Sequence, residues 1–142
     1  MDTETSSGEP IPVVAWVCVR DNAMLVARTR GKSLFYAPGG KPDPGESDLE
    51  ALVREVAEEL GVDLDVETIE KLTDIEAPAH GLAAGRIVEM ACYTAEPQGT
   101  SASPIASREI AEIAWLGLAR RDRCAPADQA LMDFLSKRGE LS

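Results

Sequence analysis

Apolar residues cluster along this chain in two rhythms, and the change from one to the other marks its elements. Residues 1–10, MDTETSSGEP, are polar and acidic and end at a proline, so they read as a disordered tail before a domain spanning residues 11–142. Ile11 to Val19 is rich in β-branched residues, and Met24 to Ala27 follows the polar Asp21-Asn22 pair; together they predict a hairpin. Leu34 to Ala37 is a candidate third strand before a Pro38-Gly39-Gly40 turn, and Pro42-Asp43-Pro44-Gly45 predicts an irregular loop. From Ser47 the rhythm becomes helical: Leu49, Leu52, Val53, Val56 and Leu60 share one side. Ser47 with Glu50 forms a capping box, and Gly61 is placed to end the helix. Lys71 to Ile75, Arg86 to Thr94 and Ile110 to Leu116 are further strand candidates, and Pro126 to Leu135 a second helix. Residues 77–85 and 96–107 read as small-residue loops of the kind that line sites. Strands mixed with two helices imply one layered α+β domain.

Size and charge narrow the chemistry. The chain has 142 residues, ordinary for one domain. Its net charge of −11 and aromatic content of 4% argue against extended nucleic acid, which is bound through basic side chains and base stacking. An acidic protein that handles phosphates needs cations as intermediaries. The three cysteines, Cys18, Cys92 and Cys124, form no CxxC pair, so neither a disulfide framework nor a zinc site is expected, and a reducing cytoplasm fits best. The longest apolar run, Val13 to Val19, is far short of a membrane span, and the N-terminus has no signal-peptide core.

The first helix carries the strongest chemical signal. Glu55, Glu58 and Glu59 lie three and four residues apart and so neighbour one another on a side away from the apolar stripe. They sit in the last turns, where the helix dipole disfavours negative charge, so capping does not account for them. A solvated acidic face is the plain alternative. Clustered carboxylates with no intervening base make better sense as ligands of a hard cation, which prefers oxygen donors, and magnesium is the first choice. Gly39 and Gly40, just upstream, allow close approach of backbone to substrate or to those carboxylates.

Together these residues run Gly40, five residues, Glu46, seven residues, then Arg54-Glu55-Val56-Ala57-Glu58-Glu59-Leu60-Gly61-Val62. The pattern resembles the Nudix box, in which G, five residues, E and seven residues precede R-E-U-x-E-E-x-G-U, U being a bulky aliphatic. Every specified position is filled over these 23 residues. The resemblance implies an α/β/α sandwich with a mixed central sheet between helices. It implies that Glu55, Glu58 and Glu59 hold Mg²⁺, with Mn²⁺ as a substitute, and that Arg54 and Glu46 are structural partners in the catalytic set. Such ions relieve the repulsion between phosphate oxygens and a water nucleophile, orient the scissile bond and lower the pKa of bound water. Glu55 or Glu58 is the first candidate for general base. Outside the box, Glu112 and then Glu109 are the next candidates, as ligand or base, because the surrounding segment resembles the lead into the last strand of many Nudix domains. Glu76 and Glu89 rank below them.

The basic cluster near the box loop, Arg28, Arg30, Lys32 and Lys41, is a candidate phosphate contact, with Arg28, Lys41, Gly39 and Gly40 as the expected substrate-binding set. His80, the only histidine, and Phe35, Tyr36 and Trp115 read first as loop and core residues, with roles in acid–base work or base stacking as the alternative. The function implied is hydrolysis of a phosphoanhydride in a nucleoside diphosphate linked to another group, first a nucleoside triphosphate, alternatively ADP-ribose or a nucleotide sugar. A non-catalytic nucleotide sensor is the alternative of another class, disfavoured by the intact acidic trio. Prenyl diphosphate isomerisation on the same fold is expected to need a longer chain and a different box. The expected partner is a small nucleotide, with neither extended nucleic acid nor membrane, and a homodimer remains an option.

Overall fold

The computed structural model describes residues 9–80, 85–99 and 104–142. The first long apolar run divides between two sheets. Strand β1 (Ile11–Trp16) joins one sheet and β2 (Val19–Arg20) the other. The turn after β2 places Asp21 and Asn22 at φ 51° and 64°, the paired left-handed residues of a tight hairpin, so the hairpin predicted from this region is β2 with β3 (Ala23–Thr29) and leaves β1 out. Strand β1 is buried on both faces because it runs through the middle of the molecule: Val14 and Trp16 point into one hydrophobic cluster, Ala15 and the following Val17 into the other.

Two sheets result. One has the order β4-β1-β6-β5, made of β4 (Gly39–Gly40), β1, β6 (Ile87–Thr94) and β5 (Glu70–Pro78); β1 and β6 are parallel and the other neighbours antiparallel. The second is antiparallel, with the order β2-β3-β7, where β7 is Ile110–Leu116. The mixed sheet expected between helices is thus present with a three-stranded antiparallel companion. Helix α1 (Asp48–Leu60) covers one cluster through Ala51, Leu52, Val56 and Leu60. Helix α2 (Pro126–Lys137) covers the other through Leu131, Met132 and Leu135. The fold is a mixed α+β sandwich with helices on both sides. No helix among the described residues is long and apolar enough to cross a membrane.

Three local readings need correcting. Leu34 to Ala37 is not a strand; Phe35 and Tyr36 make single bridges, to Cys124 and Ala27. The strand instead falls on Gly39–Gly40, read from sequence as a turn, because only glycine fits there: Gly39 has φ 151°, and a Cβ on it would collide with the Val14 carbonyl oxygen. The small-residue loop expected over 77–85 fails at its start, since Ala77 and Pro78 complete β5, and residues 81–84 of it lie outside the described residues.

Candidate active site

Helix α1 starts as its sequence dictates. Ser47 Oγ accepts from Glu50 N–H at 3.1 Å, Glu50 Oε1 accepts from Ser47 N–H at 2.9 Å, and Gly61 closes the other end with φ 67°. The buried sector is rotated from the expected stripe: Leu49 is 39% exposed, while Ala51 is fully buried. That rotation brings Glu55 and Glu59 toward the sheet. Glu59 follows Leu52 by two helical turns and shares its side, so the acidic residues do not form one separate face. Only Glu58 faces out, its side chain 61% exposed.

Each box carboxylate has its own environment. Glu59 Oε1 accepts from Gly39 N–H at 3.1 Å, and burial, reinforced by the charges of Glu55, Glu109 and Glu58, pushes its pKa up to about 8. Glu55 lies against Gly40, where a Cβ would stand 2.6 Å from the carboxylate, and its pKa is also raised, chiefly by burial. Arg54 binds Glu46 with two contacts, Nε to Oε2 at 2.7 Å and Nη2 to Oε1 at 3.0 Å. Those contacts, with the Asp43 backbone N–H, hold Glu46 down at about 2. Nη1 of Arg54 reaches Glu55 at 3.3 Å and Glu58 at 3.1 Å.

Among the described residues no three acidic, histidine or cysteine side chains converge as a closed metal cage. The reason is visible: Arg54 draws on Glu55 and Glu58 while Gly39 holds Glu59. The donor set nevertheless fits a hard divalent ion. It is all oxygen, and Glu59, raised to about 8 by burial and then by the neighbouring carboxylates, is a group whose charged form a divalent cation would favour.

Beside Glu59 opens a cleft of about 300 Å³. Its walls are mainly apolar, from β1, β3 and β6, and its polar lining comes from Gly39, Gly40 and Glu59, from Lys32, Tyr36 and His80 outside the long strands, and from Asp128 of α2. Asp128, absent from the residues singled out by sequence, is 2% exposed. Its Oδ1 accepts from Ala37 N–H at 2.8 Å, and burial pushes its pKa up to about 7. In the sequence it passes for an ordinary acid in the first turn of a helix, where the dipole favours negative charge. What could have flagged it is that α2 has no capping side chain at Ala125.

The basic cluster is dispersed. Arg28 donates to the Lys32 carbonyl and lies 3.4 Å from Glu112, its cross-strand partner, and Arg30 donates to the Arg108 carbonyl. Lys41 is exposed and contributes its carbonyl to Arg54 at 3.3 Å, so only Lys32 of the four lines the cleft. Of the two acids outside the box, Glu109 is near enough to raise the Glu59 pKa, whereas Glu112 faces Arg28. Glu76 and Glu89 lie across from each other on β5 and β6, lining a different hollow with Asp48 and Asp74. Phe35 is core, stacked under Arg123, and Trp115 is partly exposed beneath Arg20. All three cysteines are free and buried.

The comparisons with known proteins agree with this geometry. A family model described as NUDIX domain matches residues 10–133. The CTP pyrophosphohydrolase of Escherichia coli (strain K12) is 43% identical over 60 residues, 39% of this chain and 44% of that protein, so the match spans less than half of that relative. Among solved structures, that of the E. coli ORF135 protein is 26% identical with a TM-score of 0.64 and 96% of both chains covered. The MutT NUDIX hydrolase from Burkholderia pseudomallei is 25% identical with a TM-score of 0.61, covering 78% of this chain and 85% of that one. Nudix hydrolases generally use divalent metal ions and act on small-molecule nucleotides. Because the family match runs across nearly the whole chain and not the box alone, this chain belongs to the Nudix family of hydrolases.

Proposed function

We propose that this chain hydrolyses nucleoside triphosphates to the monophosphate and pyrophosphate, with Mg²⁺ held by Glu55, Glu58 and Glu59. The observation that carries this reading is a mainly apolar cleft lined by both the box carboxylate Glu59 and the buried carboxyl of Asp128, each held by a backbone N–H of the same short segment, Gly39 and Ala37. Its volume of about 300 Å³ is at the lower end for small-molecule sites and suits one nucleoside, with phosphates leading out toward α1. Asp128 presents a hydrogen-bonding group to a base edge, and Tyr36 offers a ring beside it. The CTP pyrophosphohydrolase relative supports a compact nucleotide.

The bound ion would neutralise phosphate oxygens and make water a competent nucleophile near neutral pH. The chain's own residues supply the rest. Gly39 N–H fixes the Glu59 carboxylate, Gly40 leaves room for Glu55, and Arg54, tied to Glu46, positions Glu55 and Glu58. Glu109 stands closest to the buried Glu59 among the acids outside the box and is the better candidate there than Glu112 for accepting a proton from water. Free buried cysteines are consistent with a cytoplasmic enzyme. The test is a screen of nucleoside triphosphates, dinucleoside polyphosphates and nucleotide sugars with Mg²⁺, products being identified and the screen repeated with Glu59→Gln. Pyrophosphate from a triphosphate, lost in the variant, is expected. Turnover of nucleotide sugars or ADP-ribose alone would move the assignment to that substrate class.

A further inference from the structure

Arg54 has five N–H donors, and all five are used. Two of its nitrogens, Nε and Nη2, grip Glu46 in a fork at 2.7 and 3.0 Å, and Nη2 also donates to the Lys41 carbonyl at 3.3 Å. The remaining nitrogen, Nη1, divides between Glu55 at 3.3 Å and Glu58 at 3.1 Å. The two ends differ in kind. Glu46 is 15% exposed and bound through both oxygens, which is the strong geometry for a guanidinium and carboxylate. Glu58 is 61% exposed and bound through one oxygen, which is the weak one. Those weakly held oxygens are the ones that the proposed ion needs.

We propose that Arg54 is a divided counter-ion: its Nε and Nη2 edge anchors the box loop through Glu46 at all times, while Nη1 holds Glu55 and Glu58 only until a divalent ion takes those oxygens. The arginine then balances and shapes the site in the absence of the ion and competes with it for two ligands. This rests on the reading that Glu55, Glu58 and Glu59 bind the ion. It adds that residue 54 sets the affinity of that binding from inside the box, and with a sign opposite to that of a simple positioning residue. An ammonium in place of the guanidinium keeps the charge but offers one nitrogen in place of three; seated on Glu46, the strongest partner, it leaves Glu55 and Glu58 free and should tighten binding. Releasing the anchored edge, so that the whole guanidinium is free to settle on Glu55 and Glu58, should weaken it.

The experiment is calorimetric titration of the whole protein with Mg²⁺ alone, without nucleotide, for wild type, Arg54→Lys and Glu46→Gln, alongside ¹⁵N spectra of the wild-type arginine side chains during the same titration. Arg54→Lys is expected to bind Mg²⁺ roughly threefold to fivefold more tightly, the size of a partly exposed ion pair. Glu46→Gln is expected to bind more weakly than wild type. In wild type the Arg54 Nε–H signal should stay protected at saturation while the Nη1 protons shift, a readout that does not depend on either variant folding. Equal or weaker binding by folded Arg54→Lys, or Nη1 signals that do not change as Mg²⁺ saturates the protein, overturns the divided role and leaves the ion site standing. Wild type that takes up no Mg²⁺ defeats the ion site itself, and this proposal with it.

Discussion

Gly40 and Glu55 are in contact across the gap between the sheet and α1: a Cβ at position 40 would lie 2.6 Å from the Glu55 Cδ and Oε2. No Cβ tolerates that separation, so either the carboxylate moves or the β4 backbone does. Gly40→Ala should therefore displace a proposed ligand while leaving the cores untouched. We expect turnover to fall by roughly 100-fold, as loss of a well-placed charged contact in the transition state does. The melting temperature should drop by only a few degrees. Steady-state kinetics with a thermal melt checks both, and an alanine variant of full activity would remove Glu55 from the site.

Glu59→Gln keeps the shape of the side chain and an acceptor for Gly39 N–H, but not the charge. Its rate should fall at least about 100-fold. In chelator the variant should melt no lower than wild type, because burial and the charges of Glu55, Glu109 and Glu58 disfavour the ionised wild-type carboxylate. A large loss of stability would instead mean that Glu59 is chiefly structural.

The motif on α1 was legible because every part of it is local. Spacing along one helix fixes which side chains are neighbours, and the caps at Ser47 and Gly61 are two-residue events. The direction in which that helix turns its carboxylates was not legible, since it depends on how α1 beds against β4. The same holds for β4. Two glycines read as a turn from their own preferences, yet β1 approaches Gly39 and the Glu55 side chain approaches Gly40 so closely that neither position has room for a Cβ. Where the β-branched run Ile11 to Val19 breaks is also a tertiary matter, because both halves are strand and only their sheets differ.

Asp128 was invisible for a related reason: its burial comes from the segment at Ala37, ninety-one residues away. Its pKa is raised from 3.8 to about 7, so the fold favours the neutral carboxyl. The stability associated with that protonation is complete below about pH 3.8 and lost as pH rises through about 7. Asp128→Asn, neutral at every pH and still able to accept from Ala37 N–H, should escape this loss. The gap in melting temperature between variant and wild type should widen from pH 4 to pH 7 and then level, reaching at least roughly 4 °C. The same variant should change the ranking of nucleobases in KM more than it changes kcat. A gap independent of pH contradicts the assignment of a buried, titrating Asp128.

Glu109 and Glu112 are three residues apart but in different surroundings, one near Glu59 and the other against Arg28. Glu109→Gln should lower kcat by about 10- to 100-fold, the range for a general base or an added charged contact. Glu112→Gln should stay within a factor of about three, since its partner pair is half-exposed. The reverse ranking would restore Glu112 as the acid outside the box.

The most direct measurement is anomalous diffraction from crystals soaked in Mn²⁺ with a non-hydrolysable nucleoside triphosphate analogue. The account predicts a manganese peak within about 2.5 Å of Glu55 and Glu59 carboxylate oxygens, with the base in the cleft near Asp128. A manganese peak found only in the hollow of Asp74, Glu76 and Glu89, or no peak beside α1 while the nucleotide is bound, would contradict it.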